Sequence, residues 1–152
     1  MSGKLILVRG LPGSGKSRLA KSLVCHPYHW EADMFFCRTF DQFGNEDGYL
    51  GEYKFDATKL AVAHAWCLKM TAEFMEEGRT VVVSNTFSEL WEGMPYMELA
   101  ESRGWDLTVI RCLGRYKSIH DVPEKAIEKM RLRWQDYPKE ITSYPFITKE
   151  IK

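Results

Sequence analysis

The chain has 152 residues, 45% of them hydrophobic, with 21 basic and 21 acidic side chains and a formal net charge of zero. That is the size of a single domain, residues 1–152, with apolar content for one core, and its balanced charge excludes the basic footprint of a long-duplex binder while leaving room for a grip on a strand end. Cys25, Cys37, Cys67 and Cys112 are irregularly spaced without a C-x-x-C pair, which excludes a zinc ribbon or a redox couple and suits reduced thiols in a cytoplasmic protein.

The opening MSGKLILVRG holds an apolar run too short for a signal peptide, and no stretch approaches a membrane span. Within it, Leu5 to Val8 predict a short buried strand. The strand leads into GLPGSGKS, residues 10–17, which fits G-x-x-x-x-G-K-[ST] with Gly10, Gly15, Lys16 and Ser17 at the fixed positions. Leu19, Leu23 and Val24 follow at helical spacing, so the order is strand, loop, helix. Gly13 and Gly15 allow successive N–H groups to converge on phosphate oxygens, with the helix dipole adding positive potential at the same point. The expected nucleotide-binding set is Gly10, Leu11, Pro12, Gly13, Ser14, Gly15, Lys16, Ser17 and Arg18. In it, Lys16 reaches the β and γ phosphates of ATP and Ser17 ligates Mg²⁺.

Beyond the first helix, HWEADMFF offers a second strand ending near Asp33. Cys25, His26, His29 and Cys37 are metal-capable, but Pro27 interrupts them and their spacing matches no standard zinc pattern. Residues 41–53 are acidic and glycine-rich and read as a mobile surface loop. A helix is expected from an Asp56 N-cap to a stop at Gly78, with an apolar stripe at Leu60, Ala63, Cys67, Met70 and Phe74. TVVVSNT then reads as a central parallel strand, Met94 to Glu101 as a helix with Pro95 near its first turn, and WDLTVIRCL as a further strand. A cation-rich connection, about residues 113–122, precedes a helix opened by Pro123 and running to about Gln135. Residues 136–152 show no clear period. Strands alternating with helices predict an α/β fold: an open parallel sheet of four to five strands with helices on both faces.

Ligands gather at the carboxyl ends of such strands. There the chain places Asp33, then Ser84, Asn85 and Thr86, then Arg111 to Lys117. Asp33 suits a general base, or else a helix cap or surface carboxylate; Arg115 and Lys117 suit a lid over a moving phosphoryl, or else a solvated basic face. A hydrolytic motor would carry an acidic residue after its VVV strand, where this chain has Ser84 and Asn85. Mg²⁺ keeps several waters readily, so a small phosphotransferase can hold it mainly through the loop serine and the ATP phosphates.

These motifs resemble the P-loop polynucleotide 5′-hydroxyl kinases: GLPGSGKS for the phosphate loop, EADMFF for the stretch carrying the base, VVVSNTF for the segment bordering the acceptor strand, and IHDVPEKAIEKMRLRW for the helix after the lid. The resemblance spans about residues 4–135. It implies ATP as donor, a DNA or RNA 5′-hydroxyl end as acceptor, Asp33 as general base, Thr86 beside the acceptor, and Arg115 with Lys117 as lid cations. Phe35 and Phe36 stand where the phage enzyme holds an acceptor phosphate with arginine, so stacking of a base on Phe36 is one expectation and core packing the other. Asn85 is expected near Ser17 or a metal-bound water. His64 faces either the acceptor channel or the core, and His120 either fixes the lid hinge or is structural. Trp66, Trp91 and Trp134 are expected at core and interface positions. No Asp-x-Asp phosphatase signature occurs. A monomer is expected, and the alternatives are a small-metabolite or nucleoside kinase and a non-catalytic ATP-binding module.

Overall fold

The computed structural model describes residues 3–116 and 122–143. In chain order these form β1 (Lys4–Arg9), α1 (Lys16–Leu23), β2 (His29–Trp30), a 3₁₀ helix (Ala32–Cys37), β3 (Thr39–Phe40), β4 (Glu46–Gly48), a second 3₁₀ helix (Ala57–Lys59), α2 (Leu60–Met75), β5 (Val81–Asn85), α3 (Leu90–Ser102), β6 (Asp106–Cys112), α4 (Glu124–Leu132) and β7 (Ile141–Ser143). Five strands make one parallel sheet in the order β2-β5-β1-β6-β7, the fold class expected from the sequence.

Alternation along β1 divides the core in two. Leu5 and Leu7 face the side covered by Ala63, Trp66 and Met70 of α2 and by Tyr96 and Ala100 of α3. Ile6 and Val8 face Ala20 and Leu19 of α1. A strand buried on both faces must be apolar at every position, and Val81, Val82 and Val83 of β5 are all fully buried. Registering Leu5 with Val81 and Leu107 puts the carboxyl ends of β5, β1 and β6 side by side, with Arg9 opposite Asn85 and Arg111.

Several boundaries differ from the sequence reading. Asp33 lies in the first 3₁₀ helix, past the end of β2. The expected mobile loop supplies the turn and the second strand, β4, of an antiparallel hairpin with β3, and the turn is tied by the Asp41 carboxylate accepting from the N–H groups of Phe43 and Asn45 at 2.8 and 2.9 Å. Asp56 caps the second 3₁₀ helix, which leads into α2, and Leu60 is exposed where the stripe placed it inside. α3 starts four residues early because Glu89 and Glu92 form a capping box, which leaves Pro95 inside the helix. α4 is shorter than expected, with Pro123 at its N-cap. In the region without a clear period, Ile141–Ser143 joins β6 as the edge strand β7. Of the tryptophans, Trp66 is buried as expected, Trp91 is exposed and so not a core residue, and Trp134 packs on Arg9.

Arg9 closes β1 and is fully buried. Its Nε and Nη2 donate to Phe87 O at 3.0 and 2.7 Å, Nη2 also donates to Gln135 O at 2.6 Å, and Nη1 pairs with Glu140 Oε1 at 2.7 Å. The guanidinium lies between the rings of Trp134 and Tyr137, 4.0 and 3.9 Å from their centroids. It joins the root of the phosphate loop to the turn after β5 and to the segment after α4. Arg9→Met is expected to lower unfolding stability in urea by about 2–4 kcal/mol, because buried carbonyls and Glu140 lose their donor. Arg9→Lys should recover little of that loss, since lysine has no planar fork.

Candidate active site

The phosphate loop leaves β1 at Gly10, where a Cβ would come within 2.2 Å of Ser14 Oγ and 2.9 Å of Cys112 O. Gly13 and Gly15 adopt φ of 83° and 93°, left-handed values that a side chain disfavours. The loop is held from two sides: Gly10 N–H donates to Thr86 O at 3.3 Å, and Tyr116 N–H donates to Gly13 O at 2.5 Å. Leu11 and Pro12 are half-buried, Ser14 is buried, and Arg18 is exposed on α1. Lys16 Nζ lies back along the loop, donating to Leu11 O at 3.2 Å. Burial lowers its pKa, opposed by Glu31 and, less strongly, by Cys112 and Asp33.

An acid missing after the VVV strand is supplied by the neighbouring strand. β2 pairs with β5 through Trp30 and Val83, so the next residue, Glu31, comes beside Ser84. Glu31 Oε2 accepts from Ser84 Oγ at 2.6 Å and from Ser17 Oγ, while His29 Nε2 lies 3.3 Å from it and 2.7 Å from Ser84 Oγ. Burial pushes the Glu31 carboxyl up, but the hydrogen bond and charge of His29 and the two hydroxyls outweigh it and hold the group at about 2. A carboxylate hydrogen-bonded to the loop serine is a hard oxygen donor set, and it fits a Mg²⁺ ion. Sequence reasoning missed Glu31; its signal was the alternation of His29 and Glu31 at a strand end. Asn85, expected beside Ser17, instead accepts from Ala32 N–H at 2.8 Å through Oδ1 and so anchors the 3₁₀ helix.

Asp33 is half-buried in that helix, with Tyr53 Oη 3.4 Å from its Oδ1. Burial and the Asp33 charge push the Tyr53 phenol well above its ordinary range, so it stays a donor. Phe35 and Phe36 are each 6% exposed, packed edge-on to one another at 5.4 Å, so the expectation of base stacking on Phe36 is corrected: the ring offers no open face. His64 is exposed on α2; desolvation lowers its pKa, opposed by the charges of Glu92 and Asp33. Thr86 is half-buried at the end of β5. Arg115 is exposed beside the loop-bound Tyr116, whereas Lys117 and His120 lie outside the described residues. All four cysteines are free, and burial pushes the Cys67 and Cys112 thiols up to about 12 and about 11. Among the described residues no helix is long and apolar enough to cross a membrane.

A glycine-rich loop and helix after the central strand, with polar residues converging at the adjacent strand ends, define a P-loop domain with the kinase-like fold. A family model described as an AAA domain matches residues 5–115, and the chain belongs to that family. It is 30% identical over 145 residues to human NEDD4-binding protein 2; the match takes in 88% of the chain but only 8% of that relative's length. Among solved structures, a putative kinase from Chloroflexus aurantiacus superposes with a TM-score of 0.63 at 16% identity, covering 97% of this chain and 92% of that one. An APS kinase, CysC, from Mycobacterium tuberculosis in complex with AMPPNP and APS gives 0.55 at 15% identity, with 94% and 90% covered. A Pnkp1/Rnl/Hen1 complex gives 0.52 at 17% identity, with 99% of this chain and 44% of that one covered. At these identities the solved structures establish the fold.

The position of Glu31 has a measurable consequence. Its folded carboxyl titrates near 2 against an ordinary value of 4.5, so its contribution to stability is complete above about pH 4.5 and fades as pH falls towards 2. Glu31→Gln is expected to flatten that acid limb, the gap of about 1–3 kcal/mol between wild type and variant at pH 6 narrowing by pH 3 in urea titrations without nucleotide.

Proposed function

We propose that the protein is an ATP-dependent kinase that transfers the γ-phosphoryl group to the 5′-hydroxyl end of a DNA or RNA strand. The observation that carries this reading is the pairing of two carboxylates of different surroundings, Glu31 bonded to the loop serine and Asp33 two residues on beside Tyr53. The resemblance of GLPGSGKS, EADMFF and VVVSNTF to the polynucleotide kinases supports the acceptor class, as does the likeness in fold to a structure containing Pnkp1.

In this reading the N–H groups of the loop and the Lys16 ammonium hold the β and γ phosphates of ATP. Ser17 and Glu31 would hold Mg²⁺, which when bound would supply positive charge to the phosphate oxygens. Asp33 takes the proton of the acceptor 5′-hydroxyl as its oxygen bonds to phosphorus and the bond from phosphorus to the ADP oxygen breaks; the products are ADP, a 5′-phosphate and a proton on Asp33. Tyr53 donates to Asp33 and orients it. Arg115, with Lys117, supplies positive charge over the phosphoryl in flight, and Thr86 and His64 border the acceptor.

Transfer of label from γ-labelled ATP to a 5′-hydroxyl oligonucleotide, with nucleosides and sugars as competing acceptors, tests the proposal. Wild type should label the oligonucleotide. Asp33→Ala should reduce transfer about 10²- to 10⁴-fold with ATP binding kept, and an unchanged rate would remove Asp33 from the chemistry. Lys16→Ala should weaken both ATP binding and transfer, because one charge serves the ground state and the transition state. Label on a small molecule instead would make the protein a metabolite kinase, and bound ATP with no acceptor labelled would make it a binding module.

A further inference from the structure

We propose that Tyr53 and Phe55 form a stacking platform for the nucleobase nearest the acceptor hydroxyl, a reading that rests on the kinase function above. The backbone at residues 53–55 is pinned to the helix carrying Asp33, since Lys54 N–H donates to Phe36 O at 2.9 Å. The Tyr53 and Phe55 rings lie 6.2 Å apart at an interplanar angle of only 23°. Phe36 backs both, at 6.1 and 5.2 Å. Tyr53 carries the link to the chemistry through its hydroxyl, 3.4 Å from Asp33 Oδ1. Phe55 carries the open face: it is 52% exposed, while Phe36 beneath it is 6% exposed.

An aromatic ring packed against two others yet half exposed offers a surface on which any base can stack. Among the described residues the other exposed phenylalanines lack this geometry. Phe40 lies under the Arg38 guanidinium, and Phe43 sits in the hairpin turn. Beside the platform Lys54 and Lys59 are exposed, and Asp56 is engaged in capping Thr58.

The test uses a 5′-hydroxyl oligonucleotide carrying 2-aminopurine as its 5′-terminal base, whose fluorescence is quenched on stacking, and a matched oligonucleotide abasic at that position. With Phe55→Ala the acceptor KM should rise roughly 5- to 100-fold, the KM for ATP should hold, and the quench should disappear. Phe55→Trp should restore both, which separates stacking from loss of fold. The abasic acceptor should show the same rise with wild type, and Phe55→Ala should add nothing further to it. If wild type labels the oligonucleotide while Phe55→Ala leaves KM and quench unchanged, the platform is overturned and the kinase reading stands. If wild type labels no oligonucleotide, the kinase reading falls, and the platform is decided by the quench alone: quench lost with Phe55→Ala supports it, and quench retained or absent in wild type sinks it.

Discussion

The buried guanidinium of Arg9 constrains everything around the phosphate loop. A charge taken wholly out of water is tolerable only when its donors are met, and here they are met by Phe87 O, Gln135 O and Glu140. The end of β1, the turn after β5 and the segment after α4 must therefore occupy one arrangement together. Gly10, the next residue, inherits that position, and its N–H bonds to Thr86 O across the same seam. The loop thus starts from a point fixed by three distant parts of the chain.

From that point the site is built by two short stretches with opposite demands. The loop is backbone made available, its glycines turned and its N–H groups directed. Residues 29–36 are side chains given separate duties by their neighbours. His29 and Glu31 project alternately from a strand end into the hydroxyls of Ser17 and Ser84. Two residues later the backbone has tightened into a 3₁₀ helix whose three-residue turn sets Asp33 and Phe36 above one another, with Asp33 beside Tyr53 and Phe36 beneath it. Asn85 holds the start of that helix through Ala32 N–H, so the end of β5 positions the stretch without itself supplying a charge.

The phosphate loop was legible because its whole signal is local: the residues that turn, donate and end in lysine and serine are consecutive in the chain. Glu31 was not, because its partners Ser17 and Ser84 are 14 and 53 residues away and become neighbours only when β2 pairs with β5. The aromatic residues misled for the same reason. Phe36 follows Asp33 closely in sequence and is buried, whereas Phe55 is remote in sequence, shares the same ring cluster and keeps a face in water.

By itself the sequence determined the order of strands and helices, the parallel α/β class and the identity of the loop, since periodicity and a contiguous motif are properties of neighbouring residues. Helix ends and short strands followed less well: the Glu89–Glu92 cap outweighed Pro95 as the marker of the start of α3, and β7 has only three residues to announce it. Tertiary structure alone decided which acid joins Ser17, that Phe36 is buried while Phe55 is exposed, and that a charged Arg9 belongs in the core. Each of those is settled by what packs against the side chain, and the partners come from parts of the chain that meet only on folding.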